Sequence, residues 1–377
     1  MSQVLILPTP EPGHVLPTIR LARHLRSCGH EVTYLTAASL KSLVATANAD
    51  FMPLVALDEG SQSLSGAHIW KVFGGHEDTR VRFRRLSEVL HRILDRGKYN
   101  LLLLDHLLAA AYRPEAFDRA RVVLFATSLP HWDSPDPVHP EIPRLVFCPE
   151  ALEVPKFRHR HRNTHYVEAS LRPLDEGGSL TEGFEGTSIL AAFGTQSIKH
   201  RGLMKTYGMI AELAGRMPQR KIMLVAPHKS LTGSLRVPRN LRVVDWIPQR
   251  QLLPQVSVFI MHGGLGSIKE SVMAGVPMIV LPVSDDQPFN AMRVRFHGLG
   301  GALFPEKQTL DALEALVCDA LDGRFRDGMA NMQQHFLAAE DASISHMLID
   351  IHLSSIENSA TGDFAGAHRA ATHLPNE

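Results

Sequence analysis

The segment HGGLGSIKE, His262 to Glu270, joins the apolar run VSVFIM to a helical pattern that stops at Gly275 and Pro277. Glycines in a strand-to-helix turn let backbone N–H groups close on an anion at the positive end of the helix dipole, which holds a phosphate without a metal. The turn lacks the Gly-Lys-Ser/Thr of a Walker loop, and it is not GxGxxG either. Ser267 and Glu270, three apart on one helical face, add a hydroxyl for the phosphate and a carboxylate for a diol such as a ribose. Close packing alone would account for Gly263, Gly264 and Gly266, but not for His262, Ser267 and Glu270 beside them. Downstream, DDQPFNA follows PMIVLPV, so Asp285, Asp286, Gln287 and Asn290 sit at the carboxyl edge of a strand, where open α/β sheets bind ligands. Carboxylates and amides gathered there suit sugar hydroxyls, although Asp286 is equally placed to cap the next helix. Upstream, VVDWIPQRQLL sets Trp246 and Ile247 just after a strand and Gln249 before a helix. An aromatic face there could stack on a nucleobase, worth roughly 1–3 kcal/mol, although a tryptophan taken alone reads more readily as core. FGTQS adds the hydroxyl of Thr195 at the end of another strand.

Elements must carry these residues. VLILP, EVTYLTA, NLLLLDH and RVVLFAT read as buried strands, and LPTIRLARHLRSCG between the first two reads as a helix with Pro17 near its start and Gly29 at its end. The alternation resumes after residue 186 with SILAAFG, KIMLVAP, LRVVDW, VSVFIMH, PMIVLPV and GALF. Continuous apolar strands alternating with helices imply parallel sheets covered on both faces, an α/β chain. At 377 residues it exceeds the ~100–200 of a usual domain, so two domains are expected. The glycine-rich, acidic stretch 171–188 reads as their linker. The division is then 1–175, 187–340, a C-terminal helix over 341–357 free to pack back on the first domain, and a disordered tail over 358–377. In that helix Ile344, Met347, Leu348 and Ile351 form an apolar stripe.

Lys plus Arg and Asp plus Glu balance at 39 each, so overall charge points to no nucleic-acid partner. The basic run 80–92 reads as the solvated face of a helix, with an acidic or membrane-surface partner as the sharper alternative; the histidine-rich run 156–165 reads poorly as a metal tract. Cys28, Cys148 and Cys318 lack CxxC spacing, which argues for a reducing compartment and against a disulfide framework or a zinc site. The N-terminus is unlike a signal peptide, and no apolar run has membrane length, so the expected location is the cytoplasm without integral membrane association.

VVDWIPQRQLL followed by HGGLGSIKESVMAGVPMIVLPVSDDQPFNAMRV resembles the donor-binding signature of family 1 glycosyltransferases, the group that contains UDP-glycosyltransferases and macrolide and other natural-product glycosyltransferases. PTPEPGHVLPTIRLARHL is similar to that family's first loop. The resemblance implies a GT-B fold, in which two Rossmann-like domains with parallel sheets face each other across a cleft, the first binding an acceptor and the second a nucleotide-sugar donor. It further implies that Trp246 stacks on the base with Ile247 and Gln249 nearby, that His262, Gly263, Gly264, Gly266 and Ser267 bind the pyrophosphate with Thr195, that Glu270 holds the ribose, and that Asp286 and Gln287 bind the sugar. His14 is then the general base, a role its place after a first parallel strand also suits. Asp105, ending NLLLLD, matches the position of the carboxylate that orients the base, although an aspartate there also caps a helix.

The expected reaction is an inverting transfer of a hexose from a UDP- or dTDP-sugar to a hydroxyl of a hydrophobic small molecule, of the kind met in natural-product and antibiotic biosynthesis. Because the chain lacks an acidic DxD triplet, neither metal nor other cofactor is expected beyond the co-substrate. Trp70, Phe73, Phe83, Trp132, Phe147 and Phe157 are candidates for the acceptor pocket or for core, and a homodimer is compatible with the sequence. The rivals are a transferase acting on a lipid-linked saccharide, a sugar-nucleotide epimerase of the same architecture, and a catalytically silent partner protein of the same fold.

Overall fold

The structure is a computed structural model that describes residues 1–54, 79–113, 117–118, 121–129, 139–157, 163–171, 186–194, 203–226 and 237–361. Thr195, Trp70, Phe73, Trp132, the side chain of Phe157, residues 172–185 of the expected linker and residues 362–377 lie outside the described residues.

Seven strands make a first sheet: β1 Gln3–Leu7, β2 Glu31–Thr36, β3 Asp50–Pro53, β4 Leu101–Asp105, β5 Val122–Ala126, β6 Arg144–Val146 and β7 Thr164–Tyr166, in the spatial order 3-2-1-4-5-6-7. Six make a second: β8 Thr187–Ala192, β9 Lys221–Val225, β10 Leu241–Val244, β11 Val258–Met261, β12 Met278–Val280 and β13 Gly300–Ala302, ordered 10-9-8-11-12-13. Neighbouring strands pair in parallel throughout. The continuous apolar runs follow from burial on both faces: β1 sends Val4 and Ile6 into one core and Leu5 and Leu7 into another. The order reverses between β1 and β4 and again between β8 and β11, and such switch points open a crevice at the strands' carboxyl ends. The short strands β3 (DFMP), β6 (RLV) and β7 (THY) escape sequence reading because charged, polar or proline residues interrupt their apolar runs.

The helices are α1 Pro12–Ser27, α2 Lys41–Ala45, α3 Thr79–Leu94, α4 Leu203–Arg216, α5 Gln249–Leu252, α6 Leu265–Ala274, α7 Gln287–Phe296, α8 Leu310–Leu321, α9 Arg326–Ala342 and α10 Ile344–Thr361. Helix α1 begins earlier than expected: Pro12 takes the first turn and Pro17 lies inside the helix. A proline tolerates the first turn because its missing N–H has no partner there anyway. His14 therefore stands in that turn, not in a preceding loop. On α3, Leu86, Leu90 and Leu94 are buried while Arg84 is exposed, the arrangement of a solvated basic face.

Helix α10 returns to the first domain, where Ile349, Leu353 and Ile356 join the core that contains Ile19 and Leu25 of α1. The apolar stripe expected there is corrected: Met347 and Ile351 are exposed, and only Ile344 and Leu348 of that set pack inward. Polar anchors rotate the helix, since Ser345 donates through its backbone N–H and its hydroxyl to the buried Glu168, and His24 pairs with Asp350 at 2.8 Å. The helix also continues to Thr361, into the stretch expected to be disordered. A further core joins the domains, with Ala126, Val146 and Leu152 packed among Met261, Ile268 and Phe336. Among the described residues, no helix is long and apolar enough to cross a membrane.

Candidate active site

Parallel pairing of β1 with β4 brings Leu7 level with Leu104, so the segment after β1 and the end of β4 emerge side by side at the first switch point. There His14 Nδ1 lies 2.7 Å from Asp105 Oδ2. The carboxylate is fully buried and accepts backbone N–H bonds from Thr9 at 3.0 Å and from Leu107 at 3.1 Å, so Asp105 orients the histidine and caps the following turn at once. Burial opposes its charge, but the neighbouring imidazoles of His106 and His14 prevail and hold the carboxyl well below the usual range. His106 Nδ1 stands 3.4 Å from Asp105 Oδ1, an ion-pair distance without hydrogen-bond geometry. Burial likewise opposes protonation of His14, yet the Asp105 hydrogen bond and charge, with Glu11 and Asp286 behind them, raise its pKa above the ordinary value. With Nδ1–H directed to Asp105, Nε2 is left as the basic nitrogen. Thr127 Oγ1, 2.9 Å from the same Nδ1, is a member of this site that sequence reading missed. Its one signal was a small hydroxyl at the end of the strand run RVVLFAT.

In the second domain the turn after β11 is shaped by contacts of its glycines. Gly263 has φ +97°, and a Cβ there would meet Val280 Cγ1 at 2.7 Å; one on Gly264 would stand 2.7 Å from His262 Nε2. Gly194, two residues after β8 at φ +76°, would press a Cβ to within 2.8 Å of His262 Cε1, so this glycine next to Thr195 lies against the histidine. Gly266, in the first turn of α6, is exposed with open space above it. Its N–H and those of Leu265 and Ser267 belong to the first turn, which lacks intrahelical acceptors. Gln249 Nε2 donates to Glu270 Oε2 at 2.6 Å and to Ser267 Oγ at 3.1 Å, which draws three of the expected residues into one cluster. Trp246 is 70% exposed, which removes the core explanation for it, whereas the Ile247 side chain is buried and leaves only its backbone to address a ligand.

Asp286 precedes α7 without a side-chain capping bond and accepts from Asn290 Nδ2 at 2.9 Å. Gln287 is nearly buried, its Oε1 accepting from the N–H groups of Val283 and Ser284, so its amide nitrogen is the part turned to other partners. Asn290, grouped with the sugar-binding candidates in the sequence, is instead fully buried; it donates to Gly263 O at 2.9 Å and accepts from Arg293 Nη1 at 3.1 Å. Arg293 then makes a two-pronged bond to Glu153 of the first domain at 3.0 and 2.8 Å, with both side chains 1% exposed. A buried polar chain thus runs from Asp286 to the opposite domain.

Lys269 on α6 also crosses, its buried Nζ donating to Phe147 O at 2.8 Å and Ala169 O at 3.1 Å. These bridging residues carry no sequence signal, because a lone Lys, Arg or Glu reads as surface until its partner is known. Between α1 and α6 a pocket of about 170 Å³ is lined by Gly13, Leu16 and Arg20 on one side and Arg250, Gly266 and Glu270 on the other. Phe147 belongs to the core, and Phe83 packs at the edge of the core beneath α3, so neither is offered to this pocket.

Residues 211–349 match the family described as "Erythromycin biosynthesis protein CIII-like, C-terminal domain". The chain is 26% identical over 350 residues to the elloramycin glycosyltransferase ElmGT of Streptomyces olivaceus, covering 82% of this chain and 88% of that one. It is 24% identical over 391 residues to the NDP-glycosyltransferase YjiC of Bacillus licheniformis, covering 90% and 95% respectively. Among solved structures, the kitacinnamycin glycotransferase superposes with a TM-score of 0.77 at 20% identity over 93% of this chain and 99% of that one, a likeness of fold.

Proposed function

We propose that this chain, which has the GT-B fold and resembles natural-product glycosyltransferases of family 1, transfers a sugar from a nucleoside-diphosphate sugar to a hydroxyl of a hydrophobic small molecule with inversion at the anomeric carbon. The observation that carries this reading is the pairing of His14 with Asp105 at one switch point, close enough to Asp286 at the edge of the other domain for that charge to act on the imidazole. His14 Nε2 takes the acceptor's proton as its oxygen attacks, and the nucleoside diphosphate departs from the opposite face. Backbone N–H groups at the start of α6 receive the departing charge, with His262 and Ser267 beside them. Gln249, Ser267 and Glu270 hold the ribose and the adjoining phosphate, Trp246 stacks on the uracil or thymine, and Asp286 with Gln287 binds the sugar. The first domain receives the acceptor and the second the donor.

A backbone cradle of this kind needs no divalent ion on the diphosphate. Adding Mg2+ or Mn2+ back to chelator-treated protein is accordingly expected to leave turnover unchanged; strong stimulation would overturn the metal-free route. His14→Ala should lower the transfer rate by about 10²-fold or more while nucleotide affinity stays within a factor of about two. Calorimetric titration with UDP and dTDP and product detection by mass spectrometry read both quantities, and unchanged turnover would remove His14 as the base. The same residues count against the rivals: an epimerase or a silent partner protein has no use for a buried His–Asp pair facing the donor edge.

A further inference from the structure

We propose that the contact between α1 and α10 is a divalent transition-metal site of the zinc class, with His24, Cys28 and Asp350 as ligands. His24 lies in the last turn of α1 and Cys28, four residues on, caps its C-terminal end, so both side chains stand together at that end of the helix. The packing of α10 on that face delivers Asp350 from the far end of the chain. One donor atom from each of the three lies within 4.8 Å of the others. Zinc bond lengths of roughly 2.0–2.3 Å separate adjacent ligands of a tetrahedron by about 3.3–3.8 Å. Cys28 Sγ and His24 Nε2 already stand 3.7 Å apart. His24 Nε2 and Asp350 Oδ2 are closer, at 2.8 Å, because a proton bridges them; a metal replacing that proton needs them to part by only about half an ångström.

The donor set of one imidazole, one thiolate and one carboxylate selects zinc or cobalt over magnesium or calcium, which prefer all-oxygen shells. Three protein ligands leave a fourth position for water. His346, four residues before Asp350, stacks on the His24 ring with centroids 4.1 Å apart and planes 8° from parallel, which fixes the orientation of the ligating imidazole. Cysteine spacing alone argues against zinc; the proposal departs from that reading because the third ligand comes from a helix more than three hundred residues further along the chain. Such an ion would fasten the last helix to the helix whose first turn carries His14.

The full chain, stripped with a chelator and dialysed, is the material for the test. Equilibrium dialysis against micromolar Zn2+ with elemental analysis should return one ion per chain, and Zn2+ should raise the thermal midpoint by a few degrees. Co2+ should give a thiolate-to-metal charge-transfer band in the near ultraviolet. Cys28→Ser and Asp350→Asn should each lower Zn2+ affinity at least tenfold and abolish the thermal shift while the metal-free midpoint stays close to that of the parent. Cys318→Ser, at the other exposed thiol, should leave binding intact. Absence of bound Zn2+ at micromolar concentration, binding undiminished in Cys28→Ser, or loss of the ion in Cys318→Ser instead would each overturn the proposal. These readouts are independent of sugar transfer, so the result stands apart from the proposed activity.

Discussion

At the scale of single residues the proposed chemistry rests on His14 and Asp105, and their coupling has a sign that can be measured. The folded pKa of His14 lies above 6.5, so the unprotonated base forms only as pH rises through that raised value. Turnover per unit substrate concentration should therefore climb with pH through an inflection above 6.5. Asp105→Asn removes the charge that lifts the pKa, so the inflection should move down while the rate at its plateau falls by about 10²-fold or more. An inflection left in place would dissociate Asp105 from the base. The linkage to stability runs the same way. His14 stabilises the fold below its unfolded pKa and ceases to as pH rises through the raised value; Asp105 stabilises it above 3.8 and ceases to as pH falls through its depressed value. Both residues were legible in the sequence by resemblance to a family motif. Thr127 was not, since a threonine at a strand end has too many ordinary uses to single itself out.

At the scale of elements, the turn from β11 into α6 places glycines by two different requirements. Gly263 meets both a left-handed φ and a wall, Val280 Cγ1, so Gly263→Ala should destabilise the fold by roughly 1–3 kcal/mol, read as a lower urea midpoint. An unchanged midpoint would mean that the turn relaxes around the added methyl. Gly266 meets neither, because the space above it is open. Gly266→Ala should unfold at the same midpoint as the parent or slightly above it, yet bind nucleotide at least several-fold more weakly because the methyl enters the ligand's space. Equal affinity in that variant would move the diphosphate away from this turn. The run HGGLGSIKE announced a glycine-rich helix start, but which glycine is walled in and which stands open depends on β8, β12 and α7, whose approach local sequence does not encode. The early start of α1 and the rotated face of α10 have the same origin: periodicity locates a helix, whereas its partners decide where it begins and which side it buries.

For the molecule as a whole, the two domains meet through charge as well as through apolar packing. Arg293 and Glu153 are each 1% exposed, and removing one partner of such a pair leaves the other buried and uncompensated. Glu153→Ala should destabilise the protein by roughly 3–5 kcal/mol, while replacing both residues by leucine and methionine should restore most of that loss, by denaturant unfolding of single and double variants. Because Asn290 links this pair to Asp286 and to Gly263, the double variant should also bind donor more weakly despite its recovered stability. Full donor affinity would show that the bridge supports the fold alone. The sequence by itself determined the α/β class, the candidate sites after β1 and β11 and the residue types gathered there, because strand periodicity, glycine-rich turns and short motifs are set by neighbours along the chain. Only the tertiary structure decided that Asn290 is buried, that Lys269 and Arg293 reach across to the first domain, that Trp246 stands exposed, and that Asp350 comes to rest against His24. Each of these depends on residues far apart in sequence, whose approach is fixed by close packing of whole elements; no local pattern records it.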